Sequence, residues 1–516
     1  MLQYGNCCDN AINPKAVYRF LERCEKEKLD INSFMLIKGN TVVAQGCRPP
    51  YKPDTNHIMY SMSKSITALA LGYAVEEGKI SLDDSICKYF GMYDKNGKNK
   101  DVTVRHLVTM TAGKMIGMAK NRHGRDWIKI FFDAPFVAKP GKVFMYVNDN
   151  FYLLSAIISK VYGQTLVDFL YPRMFEPLEI EKPLWETDMY GNASGGWGLY
   201  LKTEDLAKIF VCMSHNGEWD GRQVIPAGWI KQATAYQVPT VKRGHIDNTM
   251  GYGFGFWRTS LPDTYRGYGL FGQLGYVFGG KDTVLVATSS ISKDEFLADA
   301  VNEMYQTLWD KPEAEYEDRL KEKLEQFNSA QMDNLFCEGR STGLEQKYNC
   351  KALKTHSTSF ASMLNATITT VMDKALGHID TFSLSLEKDN CLSLLWKEGT
   401  YVNQIRLGMK NEYEKAMVNL GGIVYTAYTK AAWTASNILT VLVRFEETAQ
   451  VRRLEFDFSN EKHIKVKNHS IPDLPTLAAH YMDFSGMPLP KRIEDLLIKY
   501  VAPGVLLIGE PDFYIR

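Results

Sequence analysis

The stretch Met59-Tyr60-Ser61-Met62-Ser63-Lys64 places a serine three residues before a lysine. On a helix this spacing puts both side chains on one face, within reach of each other. A lysine in an apolar pocket loses pKa and can then take the proton of a serine hydroxyl, which makes the serine a nucleophile. Met59, Met62, Ile66 and Leu69 supply such a lining. If Ser61 begins the helix, its N–H has no intrahelical partner and is free to bind an oxyanion. The positive end of the helix dipole then lies beneath it. The competing reading is an N-cap serine beside a solvated lysine. Spacing alone does not choose, because Ser-x-x-Lys recurs at Ser61, Ser85, Ser290, Ser385 and Ser459.

A second stretch with chemical potential is Tyr146-Val147-Asn148, between Pro140-Gly141 and a helix expected to begin near Phe151. A phenol on such a short loop can take a serine proton and return it to a leaving group. Asn148 can orient a substrate carbonyl or the Lys64 ammonium. This tripeptide is also repeated, starting at Tyr4, Tyr146, Tyr190 and Tyr401. The nine cysteines are scattered, with Cys7-Cys8 as the close pair, and no Cys/His cluster has zinc spacing. Reduced thiols in a cytoplasm, with no metal and no cofactor, are therefore expected.

The elements that must position these residues follow from patterning. Pro14 to about Lys28 reads as an amphipathic helix with Val17, Phe20, Leu21 and Cys24 on one side. Residues 33–46 read as a hairpin around Lys38-Gly39-Asn40. An Ala- and Leu-rich helix is expected from Ser61 to Glu77, ended by Gly78. Strands return at about 251–291, suited to the far side of the same sheet. Strands, many helices, strands and a helix in that order imply an α+β plan with an antiparallel sheet and a helical half. A charged helix or linker follows at 311–327, and beyond it come short alternating strands, a sandwich or small barrel. Residues 1–310, 311–344 and 345–516 are thus expected as first domain, charged helical linker and β-rich domain.

At 516 residues the chain exceeds one ordinary core. Lys+Arg and Asp+Glu number 60 each, so no charge excess favours nucleic acid. No run approaches the roughly 18–20 apolar residues that span a bilayer. The N-terminal stretch lacks the charged start and apolar core of a signal peptide.

Taken together, Ser61-x-x-Lys64 and the later Tyr146-x-Asn148 resemble the serine β-lactamase and penicillin-binding-protein superfamily, in the branch of class C β-lactamases, family VIII esterases and D-amino-acid peptidases. The linking segments VEEGKISLDDSICKYF (75–90), VTVRHLVTMTAG (102–113), the forty residues from Pro140 and GGWGLYLKTEDLAKIFVCMSHNGEWDGRQVIPAGWI (195–230) are similar to it as well, over about residues 30–310. In the second of these, Met110 and Ala112 replace the usual His and Ser. The resemblance implies a β-lactamase/transpeptidase-like domain in which Ser61 attacks a carbonyl while Lys64 and Tyr146 handle its proton. It assigns His106 to packing and hydrogen bonding. It also implies a Lys-Thr-Gly-like strand facing the nucleophile, and the alignment puts Gln273-Leu274-Gly275 there. Gly275 would let that strand approach the substrate, and the Tyr276 N–H would complete the oxyanion hole. A neutral Gln273 replaces the family's cation, which argues for esters or amides without a free carboxylate. Residues 345–516 are similar to the lipocalin-like barrel that some members carry, with Trp396, Trp433 and Tyr401 expected in its core.

The expected protein is a serine hydrolase forming an acyl-enzyme on an ester or amide. Catalysis would rest on Ser61, Lys64 and Tyr146, and substrate binding on Asn148, Gln273, Gly275 and Tyr276. Its partners would be a small-molecule or peptide substrate and a second copy bound through the barrel, with no nucleic acid or membrane. A non-catalytic penicillin-recognising sensor or binding module, or an acyltransferase on the same fold, are the alternatives.

Overall fold

The structure is a computed structural model of the chain, and it describes all residues except 115–123, 242–243, 294, 333, 336, 338, 357–361, 365–377, 388–390, 461, 472 and 474–511. Two compact units result, one built from Met1–Ala330 and one that begins at Gln331.

In the first unit, the Asn13 side chain accepts from the Lys15 amide and Pro14 takes the first helical position. These two features start α1 (Pro14–Lys26) where the sequence places it. Its buried face carries Val17, Phe20, Leu21 and Cys24. The hairpin of β2 (Ile31–Lys38) and β3 (Thr41–Cys47) turns at Gly39, whose φ is +56°. The two-residue strand β1 (Gln3–Tyr4) pairs parallel with β3. The later strands are β4 (Trp257–Arg258), β5 (Thr264–Gly269), β6 (Gln273–Phe278) and β7 (Thr283–Ser289). The seven form one mixed sheet in the order β1-β3-β2-β7-β6-β5-β4.

Helix α2 (Ser63–Glu76) is buried from Ser63 to Ala74, which its run of small and apolar residues permits. Gly78, at φ +66°, lies just beyond its end, as expected. Helix α3 (Val104–Val108) packs on α4 (Asn148–Tyr162), and α4 packs on α2. Helix α5 (Thr203–Ser214) lies against β2, β6 and β7. α1 packs on α6 (Glu295–Thr307) and on α7 (Glu315–Ser329). The charged stretch read as a linker is helical, yet α7 belongs to the first unit. Its Leu320 and Phe327 are buried, and Phe327 meets Phe34 of β2 edge to face.

The second unit is a nearly closed antiparallel barrel of ten strands. They are β8 (Ala352–His356), β9 (Ile379–Leu386), β10 (Leu392–Glu398), β11 (Tyr401–Arg406) and β12 (Glu414–Leu420), then β13 (Ile423–Ala435), β14 (Ile438–Phe445), β15 (Val451–Asp457), β16 (Ile464–Ile471) and β17 (Phe513–Ile515). Their order is β11-β10-β9-β8-β17-β16-β15-β14-β13-β12. At the seam between β11 and β12, the Asn403 amide takes the place of ladder bonds. It donates to the Asn419 carbonyl at 3.0 Å and accepts from the Asn419 amide at 2.7 Å. Trp396 and Trp433 lie in the apolar interior with Phe382, Phe456 and Phe513, while Tyr401 is half-buried.

Candidate active site

Ser61 lies in a single 3₁₀ turn, Tyr60–Met62, and the α-helix proper starts two residues later at Ser63. Tyr60 has φ +43°, a region a bulky side chain enters only when its surroundings hold it there. Its ring packs edge-on against Phe271 at 5.2 Å. The turn presents Ser61 partly exposed, while Met59, Met62 and Lys64 behind it are buried.

The Lys64 ammonium nitrogen is 2.8 Å from Ser61 Oγ, 2.7 Å from Asn148 Oδ1 and 2.7 Å from the Gly196 carbonyl oxygen. Burial holds its pKa well below 10.5, opposed in part by the Asp149 carboxylate. Two of the three partners can only accept. A neutral Lys64 gives its two N–H bonds to them, which leaves its lone pair for the Ser61 hydroxyl. The other Ser-x-x-Lys serines bond elsewhere: the hydroxyls of Ser85, Ser290 and Ser459 donate to the Lys100 carbonyl, Asn32 and Asp457, and that of Ser385 accepts from the Cys350 thiol.

Tyr146 completes the cluster. Its ring lies 4.7 Å beneath the Lys64 nitrogen and packs on the Trp257 ring at 5.5 Å, and the Ser61 and Trp257 side chains oppose in part the effect of burial on its pKa. Burial raises its pKa, so it stays a phenol. Its loop is pinned from behind. The Met145 amide donates to the Met110 carbonyl and the Gly141 amide to the Thr111 carbonyl, each at 2.8 Å. That backing segment begins at α3, where Thr103 and His106 form a capping box, so His106 does structural work. Asn148 is the first residue of α4, which fixes its side chain toward Lys64.

The other Tyr-x-Asn copies do different work. Asn6 bonds Asp9, Asn192 bonds Asp188, and Asn403 closes the barrel seam.

The expected placement of Gln273, Gly275 and Tyr276 is not what the structure contains. Their strand, β6, is paired on both sides, with β5 and with β7, so its ladder N–H groups have strand partners. The Gln273 amide is buried, donating to the carbonyls of Leu270 and Ser289 and accepting from the Ser289 amide. The Tyr276 hydroxyl bonds Arg266 and Asp247. At Gly275 an added β-carbon would meet the Phe210 ring of α5 at 2.4 Å, so this glycine makes room for a helix rather than a substrate.

The strand beside the nucleophile is β5. A β-carbon at Gly269 would fall 2.3 Å from the Met59 carbonyl oxygen, and one at Gly267 would fall 2.4 Å from Met62 Sδ. Two bare positions therefore let β5 lie against the Ser61 turn. Sequence reasoning missed Gly267, Gly269, Gly196 and Trp257. The alternating Gly267-x-Gly269 within a strand was the available signal for the first two. Among the described residues no group of His, Cys, Asp and Glu is arranged to hold a metal ion.

Residues 24–305 match the model of the Beta-lactamase family. The chain belongs to that family, whose β-lactamase and penicillin-binding-protein-like members are typically serine hydrolases. It is 25% identical over 159 residues to the protein flp of Staphylococcus aureus strain MW2, spanning 29% of this chain and 32% of flp. It is 23% identical over 228 residues to the 6-aminohexanoate-dimer hydrolase of Paenarthrobacter ureafaciens, covering 40% of this chain and 58% of that one. Each alignment thus spans less than two thirds of the relative. Among solved structures, the octameric penicillin-binding-protein homologue from Pyrococcus abyssi aligns over 85% of this chain and 97% of its own, with 19% identity and a TM-score of 0.46.

Proposed function

We propose that this protein is a serine hydrolase that cleaves an ester or amide through an acyl-enzyme on Ser61. The observation that carries the reading is the three-way contact of Lys64 with Ser61, Asn148 and Gly196. Lys64 takes the Ser61 proton as Ser61 Oγ adds to the carbonyl. Tyr146 gives its own proton to the departing oxygen or nitrogen and is reprotonated from Lys64. The bond to the leaving group breaks, and water repeats the sequence to release the acid. The oxyanion is received by the Ser61 N–H and, in place of Tyr276, by the Leu270 N–H. Two contacts support Leu270: Gly269 rests on Met59, and Gln273 clamps the Leu270 carbonyl at 3.1 Å.

A substrate with a neutral acyl part fits best. Where the family places a cation, β5 offers Gly267-Tyr268-Gly269. The guanidinium of the preceding Arg266 is bonded to Asn248 and Tyr276. The rings of Phe144, Tyr252 and Trp257 pack on that of Tyr146.

The test is the intact mass of wild type and Ser61→Ala after exposure to a fluorophosphonate, a short acyl ester and a penicillin. One adduct on the wild type, absent from Ser61→Ala, is expected with the first two. A folded wild type that takes none of the three would move the reading to a binding module.

A further inference from the structure

Helix α2 is buried along most of its length, yet Ser63 and Thr67 stand one turn apart on it, each with no exposed surface. A buried hydroxyl needs a partner, and both find theirs on one segment, Gly195-Gly-Trp-Gly-Leu199. The Thr67 hydroxyl donates to the Gly195 carbonyl at 2.8 Å. The Leu199 amide donates to the Ser63 hydroxyl at 3.2 Å, and the Leu199 carbonyl accepts from the Met59 amide at 2.7 Å. Both ends of the segment are thus tied to α2 and to the turn before it. The segment is seated on α4 as well. A β-carbon at Gly195 would lie 2.3 Å from the Phe151 carbonyl oxygen, and one at Gly196 would lie 2.8 Å from the Asn148 carbonyl oxygen. Beyond Gly196, the Trp185 indole donates to the Trp197 carbonyl at 2.8 Å. Between these ties the Gly196 carbonyl oxygen meets the Lys64 nitrogen at 2.7 Å.

A carbonyl oxygen can only accept. The bonds to Gly196 and to Asn148 Oδ1 therefore fix two N–H directions at the Lys64 nitrogen, and the remaining direction faces Ser61 Oγ at 2.8 Å. In the neutral amine that direction is the lone pair. It takes the Ser61 proton as Oγ adds to the substrate carbonyl, and the ammonium so formed keeps the same two acceptors. If the Gly196 carbonyl moves, the amine can turn about its last bond and the lone pair leaves Ser61. Among the described residues, the titratable groups that face Lys64 are Asp149 of α4 and Tyr146.

We propose that Thr67 is a positioning residue for the general base: by holding the Gly195 carbonyl, it keeps the Gly196 carbonyl on the Lys64 nitrogen and so aims the Lys64 lone pair at Ser61. The inference rests on the acyl-enzyme reading above and assigns a second task to α2. The helix that carries the base also anchors the backbone that orients it.

The experiment measures kcat and KM on a short acyl ester across pH for wild type, Thr67→Val, Thr67→Ala, Thr67→Ser, Lys64→Met and Tyr73→Phe, with a thermal melt of each. Thr67→Val keeps the side-chain shape and loses the hydroxyl, and Thr67→Ala is a second variant without it. Both are expected to lose about tenfold or more in kcat with KM little changed, because the loss is one of alignment. The acid limb of their kcat/KM profile should move to lower pH, since the Gly196 carbonyl favours the Lys64 ammonium. Thr67→Ser restores the donor and should recover both rate and limb. Tyr73→Phe removes another buried hydroxyl of α2, bonded to the Val224 carbonyl at 2.9 Å, and should lower the melting temperature while leaving the limb in place. If folded Thr67→Val or Thr67→Ala keeps the wild-type rate and limb, or Thr67→Ser is as slow as Thr67→Val, the role of Thr67 is overturned and the hydrolase reading stands. The same holds if Tyr73→Phe moves the limb equally. If Lys64→Met matches wild type, the base role of Lys64 fails first and takes that of Thr67 with it.

Discussion

Replacing Gly269 by alanine tests the placement of β5 directly. The new β-carbon would lie 2.3 Å from the Met59 carbonyl oxygen and 2.9 Å from Gln273 Cβ, whereas ordinary contact starts near 3.4 Å. The nearer obstacle is backbone, so no rotamer change relieves it. The φ of Gly269 lies outside the left-handed region, so the clash acts without added backbone strain. The strand and the Ser61 turn must part by about 1 Å, a displacement that costs roughly a hundredfold in rate when it separates reacting groups. Overpacking of this kind costs about 1–3 kcal/mol of stability. The assay is kcat/KM on a short acyl ester, with a urea melt at the same temperature to confirm folding. Gly275→Ala meets the Phe210 ring, which can move, and should lose stability with a smaller loss of rate. Gly228→Ala meets nothing within 4 Å and should change neither. A folded Gly269→Ala protein with wild-type kcat/KM would refute the argument that β5 sets the nucleophile. A rate loss confined to Gly275→Ala would return that place to β6.

Lys64→Met should lower turnover by about a hundredfold or more. In the wild type, with the Lys64 pKa depressed and that of Tyr146 raised, turnover should climb with pH through the lowered Lys64 pKa and hold level into the alkaline range. The same depression makes the unfolded chain bind the extra proton. Stability from Lys64 should therefore rise between its lowered pKa and about 10.5, by at most about 1.4 kcal/mol per pH unit, and Lys64→Met should remove that rise in denaturant melts. Asp205, which accepts from the Lys202 amide at the start of α5, is pushed up to about 6 by burial. Its folded pKa exceeds the unfolded value of 3.8, so its stabilising share is complete at low pH and declines as pH rises toward 6. Asp205→Asn should flatten that decline in melts across this window. At the barrel seam, Asn403→Ala leaves the part-buried Asn419 amide and carbonyl without that partner and should cost about 1 kcal/mol for each lost bond. Faster hydrogen exchange at the Asn419 amide is the measurement.

Local chemistry made much of the first unit legible. Asn13-Pro14, Gly39 and Gly78 mark ends that short-range sterics decide, and each ends or starts an element where the sequence says it should. The Ser61 turn is one step removed. A 3₁₀ start differs from an α start by a single hydrogen-bond register, and the Tyr60 ring, at positive φ, packs on Phe271 from the distant β5–β6 turn. Helical spacing joins Ser61 to Lys64, but Asn148 and Gly196 arrive from elements 84 and 132 residues away. Only tertiary packing brings them in.

The error at Gln273 has the same origin. β5 and β6 are neighbouring arms of one hairpin, both carry glycine, and Gly267 is paired with Gly275. Sequence order therefore offers two strands with nearly the same signature, and pairing distinguishes them. β6 spends both edges on β5 and β7, whereas β4 reaches only Tyr265 and Arg266 of β5. The end of β5 at Gly267–Gly269 lies beyond the reach of β4. A site strand needs an edge free at the substrate, and that is a property of the sheet, which no tripeptide carries. Trp257 was hidden for a related reason. An aromatic in a Gly-rich strand reads as core, and it is core; the Tyr146 ring it packs against lies 111 positions earlier in the sequence.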